Sequence, residues 1–271
     1  GQGGIHQRGR RFVVTTSRRD NRTRVCVHLF AVSLALLSFA CASPLRRSAS
    51  LPPFGTHAYI THSDSLDASG HIGYRQLRRD DFLAAQPPDY ALMHAERLGA
   101  LTCGIIVPEG DFVVQYKTNR KTGDTWLRVK NPSYRGKIDR NCSWWNPART
   151  LVPEAYILEH EQIHFALLES YASKINREID ELRIQVSSID EVTTAAKDHA
   201  TRLLQRGLDD LAEESLRFDA ETSEPVNPVA QRRWLRDVES RLAAVQHVDE
   251  EQKDGQEEER QQLEDEPQLN Q

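Results

Sequence analysis

A chain of 271 residues, 28% of them charged and 38% hydrophobic, can bury one core of ordinary size with tails at its ends, but not two large domains. Its net charge of -5 is spread unevenly: Arg8, Arg10, Arg11, Arg18, Arg19, Arg22 and Arg24 crowd the start, whereas residues 247–271 are rich in Glu, Asp and Gln. No Gly-rich phosphate loop, Ser/His/Asp arrangement, internal repeat or aromatic-laced basic patch stands out, which argues against nucleotide-driven, serine-hydrolase and nucleic-acid-binding classes.

The basic start precedes a run of about 16 largely apolar residues, Val25 to Ala40, and then small residues. A basic flank, a short apolar stretch and small residues form the pattern of a secretory signal rather than a permanent span. Leu37-Ser38-Phe39-Ala40-Cys41 is similar to a bacterial lipoprotein processing site, with Phe39 bulkier than usual. Two outcomes fit: a lipid anchor on Cys41, the only membrane attachment expected, or cleavage within 40–43 without lipid. The chain opens on Gly rather than Met, so much of residues 1–24 is expected to lie ahead of the true start. Export, to the periplasm, to the outer membrane as a lipoprotein, or out of the cell, would place Cys103 and Cys142 in an oxidising compartment. A disulfide between them, closing a loop of about 40 residues, is expected.

Residues 42–72 read as a Ser- and Pro-rich linker, and a domain is expected over 73–246. Tyr74 to Pro88 is an extended entry closed by two prolines. Leu101–Val107 and Asp111–Tyr116, separated by Pro108-Glu109-Gly110, give a hairpin signal, with Thr125–Lys130 as a third strand and 138–145 as a fourth. Leu168, Ala172, Ile175, Ile179, Leu182, Val186 and Ile189 predict an apolar seam along one long helix, after which residues 187–191 supply a stop and a fresh capping box, Ser188 with Glu191. Leu204, Leu208, Leu211, Ser215 and Phe218 mark a second helix. Asn227 and Pro228 open a third, with Trp234, Leu235, Val238, Leu242 and Val245 on one face. Residues 247–271 are expected to be a disordered acidic tail. The fold class is therefore α+β: a small antiparallel sheet followed by a long antiparallel helical hairpin and a further C-terminal helix.

The first helix carries His160-Glu161-Gln162-Ile163-His164. Residues four apart lie one turn above the other, so both imidazoles can grip one metal ion while Glu161 faces the water it carries. If the hairpin turns near Ile189, the residue opposite His160 falls at about 218, which returns Phe218-Asp219-Ala220-Glu221-Thr222 beside the histidines. Asp219 is favoured as third ligand, with Glu221 as the alternative. His199 would sit about 25 Å away, too far to be a ligand. On the helical wheel Tyr171 lies about 20° from His164 and either orients a ligand or packs, while Glu169, about 140° around, is structural or supporting.

Asp81-Phe82, the His160–Phe165 block with Glu169 and Tyr171-Ala172, the Phe218–Thr222 block, and Gln231 with Trp234 occur in one order. Together they resemble a bacterial family of exported domains of unknown function labelled predicted secreted zinc-dependent proteases. In that family the second block continues with a His and a Gly, where this chain has Ser223, Glu224 and Pro225, so Glu224 joins Asp219 and Glu221 as a candidate ligand. The resemblance implies an exported zinc metallopeptidase acting on a peptide or protein substrate. His160, His164 and Asp219 would hold Zn2+, and Glu161 would be the general base toward the zinc-carried water. The alternative is a non-catalytic envelope lipoprotein that binds a protein partner through its helical hairpin. No feature of the sequence fixes an oligomeric state.

Overall fold

A computed structural model describes residues 10–13, 67–148, 151–223 and 226–244. The apolar run at 25–40, Cys41, residues 42–66 of the linker, Glu224, Val245 and the acidic tail lie outside the described residues. The architecture is α+β. Among the described residues there are nine short strands: β1 (Arg10–Val13), β2 (His71–Gly73), β3 (Ala100–Leu101), β4 (Gly104–Pro108), β5 (Val113–Thr118), β6 (Thr125–Lys130), β7 (Tyr134–Asp139), β8 (Trp144–Trp145) and β9 (Ile184–Val186). They form three antiparallel sheets in the orders β1-β5-β6-β9, β2-β7-β4 and β3-β8. The long helices are α1 (Glu154–Glu181) and α2 (Val192–Thr222), and a third, α3, spans 228–244. No helix among the described residues is long and apolar enough to cross a membrane.

The strand expectations fail in two respects. The fourth strand expected at 138–145 is instead the end of β7 and the separate two-residue β8, with a turn between them. β4 and β5 do not form a hairpin: β4 pairs with β7, and β5 pairs with β6 through the turn holding Gly123 at φ +78. At the end of β4 the Glu109 N–H bonds the Ser133 carbonyl, and Gly110 at φ +75 turns the chain away into the other sheet. β2 places His71 and Ile72 inside the fold rather than in the linker, and Ile72 is only 1% exposed. β1, from the basic flank, lines the edge of β5.

The seam from Leu168 onward also stops early. Helix α1 ends at Glu181, where Arg183 Nη1 donates to the carbonyls of Asp180 (2.9 Å) and Leu182 (2.8 Å), satisfying groups the helix leaves open. Val186, read above as part of the seam, is with Ile184 an alternate inward residue of β9, which completes the edge of β6. Glu191 does brace the turn, but it accepts the Ser187 N–H and makes no capping bond with Ser188. Asn227 behaves as expected: its side chain accepts the Ala230 N–H at 3.1 Å and caps α3.

Helices α1 and α2 run antiparallel, with Lys174 Nζ 3.0 Å from Asp210 Oδ2 and His160 Nε2 3.0 Å from Asp219 Oδ1. Their approach depends on Gly207, where a Cβ would stand 2.7 Å from Ile175 Cδ1. On its other side α1 lies on β7 at Gly136, where a Cβ would come within 3.0 Å of the Glu169 backbone nitrogen. Ile163, Leu167, Ala172 and Ile175 are essentially fully buried between sheet and hairpin. Helix α3 is fastened by Arg241, whose guanidinium bonds both oxygens of Glu214 at 2.8 and 3.0 Å, and by Gln231, which donates to Glu159 Oε1 at 2.8 Å and the Tyr156 carbonyl at 3.1 Å.

Cys103 and Cys142 are joined as a disulfide across 39 residues, as expected, pinning the β3–β4 segment to the turn between β7 and β8. Replacing both cysteines with serine should lower the unfolding free energy by about 4 kcal/mol, the loop-closure scale. The test is the urea midpoint, and an unchanged midpoint would contradict a stapling role.

Candidate metal-binding site

The site is assembled where the N-terminal half of α1 meets the last turn of α2. His160 and His164, one turn apart, direct their Nε2 atoms at the same oxygen: each is 3.0 Å from Asp219 Oδ1. These three residues form the one group among the described residues whose ligand atoms, all within 4.8 Å of one another, could hold a metal ion. Their side chains are largely buried, at 13%, 8% and 20% exposure for His160, His164 and Asp219. Phe218 walls the group, stacking on His160 at 4.4 Å between ring centroids and meeting His164 edge-on at 4.9 Å.

Protonation follows from these contacts. Burial works to raise the Asp219 carboxyl, but the charge of His164 and hydrogen bonds from both imidazoles outweigh it and hold the group well below its usual range. Burial works to lower His164, yet the Asp219 carboxylate, with a smaller contribution from Glu161, leaves it above its ordinary value.

The outer contacts bear on whether a cation fits. Thr222 Oγ1 donates to the Phe218 carbonyl at 2.7 Å, so toward His160 Nδ1, 3.4 Å away, it can only accept. That contact favours a proton on Nδ1, which leaves Nε2 able to ligate a metal when one is bound, while in the metal-free site Nε2 donates to Asp219. A lone pair and a carboxylate oxygen 3.0 Å apart repel unless a proton or a cation lies between them. The donor set fits a divalent cation: two imidazole nitrogens and one carboxylate oxygen from two helices, the three-ligand arrangement that leaves a further position open. His164 Nδ1, by contrast, is buried with no hydrogen-bond partner among the described residues, beside a small cavity lined in part by Thr102, Gly104, Leu168 and Ser215.

Glu161 lies 4% exposed, and its Oε2 accepts both the N–H (3.0 Å) and the hydroxyl (2.8 Å) of Thr102. The remaining candidates fall elsewhere. Glu221 turns toward α3, where it accepts Trp234 Nε1 at 2.8 Å and pairs with Arg233, so it is not among the ligands. Tyr171 packs: it bonds the Glu214 carboxylate, and burial first, then that partner, raise its phenol above the ordinary value. Glu169 accepts the Gly136 N–H at 2.8 Å and pairs with Arg135 at 3.2 Å, a brace between α1 and β7. Asp81 is a buried brace too, bonded by Arg75 at 2.7 and 2.8 Å. Thr102 is the contact that sequence reasoning missed, and Thr222, which the hairpin placed beside the histidines, was given no role there. Thr102 sits in an apolar run whose pattern reads only as strand.

Fold and donor set define an α+β protein with a helical hairpin whose His160–His164–Asp219 group can hold a metal ion. No protein-family model, curated protein or solved structure matches the chain.

Two outcomes check the geometry. D219N should weaken divalent-metal binding by more than about 100-fold, the upper scale for losing only an outer partner, while E221Q leaves it unchanged; competition with a chromogenic chelator measures both. In metal-free protein, the Asp219 contribution to stability should be present above its ordinary value of 3.8 and lost as pH falls through its lower folded value. The His164 contribution should be present below 6.5 and lost as pH rises through its higher folded value. Urea midpoints of the metal-free chain should therefore show a support between those limits that D219N abolishes.

Proposed function

We propose that this protein is an exported zinc-dependent metallopeptidase that hydrolyses peptide bonds. The observation that carries the reading is the convergence of His160, His164 and Asp219 with Glu161 on the same helical turn. Two nitrogens and one oxygen suit zinc better than the oxygen-rich sites of calcium or magnesium. The disulfide fits an oxidising compartment, in keeping with export to the periplasm, to the outer membrane as a lipoprotein, or out of the cell.

His160, His164 and Asp219 would hold the zinc, and Phe218 keeps their rings from turning away. When bound, zinc supplies a Lewis acid that polarises a carbonyl and lowers the pKa of water to about 7. Glu161 takes a proton from the attacking water and delivers it to the leaving amine. Its Oε2 already accepts two hydrogen bonds from Thr102, so the proton is carried on Oε1. The substrate is a peptide or protein, the class that a carboxylate base beside a zinc-activated water suits.

A second reading, a non-catalytic envelope protein whose hairpin binds a partner, draws on the burial of Glu161 and its hydrogen bonds to Thr102, which suit a purely structural carboxylate. E161Q separates the two. The peptidase reading expects E161Q to keep its full zinc content and to lose cleavage of a quenched fluorescent peptide library by about 100-fold or more. Wild-type protein that holds zinc and cleaves no member of the library would overturn it.

A further inference from the structure

The segment that carries Thr102 is held more firmly than a connection between two short strands requires. On its N-terminal side, Ala100 and Leu101 pair with Trp145 and Trp144. On its C-terminal side, Gly104 begins the pairing of β4 with β7. Cys103 is bonded to Cys142, its N–H donates to Ser143 Oγ at 3.0 Å, and its carbonyl accepts the Asp139 N–H at 2.9 Å. Ser143 Oγ in turn donates to the Asp139 carbonyl at 2.8 Å, and Ser143 is fully buried. Thr102 is therefore fixed on both sides, independently of α1. Across the gap it gives both of its donors to a single atom, Glu161 Oε2, at 3.0 and 2.8 Å.

We propose that Thr102 is the positioning residue for Glu161: it occupies both lone pairs of Oε2, fixes the carboxylate plane, and leaves Oε1 as the oxygen that exchanges the proton. This rests on the peptidase reading, since a base needs orientation only where there is a proton to take. Two observations favour it over simple satisfaction of a buried acid. No hydrogen bond among the described residues reaches Glu161 Oε1, while both Thr102 donors meet on Oε2, so one oxygen is held and the other is left for a proton. The disulfide also staples the residue next to Thr102 rather than either end of α1.

The experiment uses full-length, zinc-loaded protein and a quenched fluorescent peptide that the wild type cleaves. T102V keeps the shape and the backbone N–H but removes the hydroxyl. It should lower kcat by about 10- to 100-fold with KM within about twofold and zinc content unchanged, the scale expected when a catalytic group is slightly misaligned. T102S, which restores the hydroxyl, should recover kcat to within a fewfold of wild type. Independently of activity, amide exchange at Thr102 should speed up in E161A, which removes the acceptor of its N–H. A T102V enzyme with wild-type kcat, or a T102S enzyme as slow as T102V, would overturn the proposal, as would unchanged exchange at Thr102 in E161A. Wild-type protein that binds zinc but cleaves nothing would instead defeat the peptidase reading, and is read before either variant.

Discussion

Asp219 Oδ1 stands 3.0 Å from Nε2 of His160 and 3.0 Å from Nε2 of His164, and much of the fold serves to bring that oxygen there. An ionised carboxylate taken out of water is costly unless a cation or charged donor faces it. The two imidazoles are that counterpart, either by sharing protons with the acid or by sharing a metal ion with it. Because the three groups come from helices separated by a strand and a turn, binding a cation there would also tie α1 to α2. Metal affinity and hairpin stability should then be one linked quantity.

The supports around this contact divide by element. Gly207 lets α2 come close to α1 beside Ile175, and Gly136 lets α1 lie flat on β7. Phe218 walls both rings, stacked on His160 and edge-on to His164, and Thr222 gives His160 a contact on its far nitrogen. Helix α3 closes the end of the hairpin from outside: Trp234 meets Phe218 edge-on at 5.5 Å and binds Glu221, which removes that acid from the metal group. The same carboxylate that sequence reasoning offered as a ligand thus serves to place the wall behind the ligands.

The residues that announce chemistry were legible in the chain, and so was their approximate meeting point. A helix positions side chains by simple periodicity, so His160 and His164 had to share a face, and a hairpin turning near Ile189 had to return a residue near 218. The disulfide followed from two cysteines beyond an export-like start, and the cap of α3 from Asn227 ahead of Pro228. What could not be read depends on tertiary partners. Val186 suits a helix seam and a strand equally, and only the free edge of β6 decides between them. The pairing of β4 with β7 instead of β5 is set by contacts across more than a turn, which local propensity does not encode. Thr102 was invisible for the same reason: its partner lies 59 residues away, and its own sequence neighbourhood reads as an ordinary strand.

The central claim is that both imidazoles and the acid from the second helix share one cation. Zinc K-edge X-ray absorption on stoichiometrically loaded protein tests it most directly. The account predicts a first shell with two imidazole nitrogens at about 2.0–2.1 Å and protein oxygen at about 2.0–2.2 Å, with the imidazole scattering retained and the oxygen shell altered in D219N. A first shell with one imidazole or none, or one that D219N leaves untouched, would contradict it.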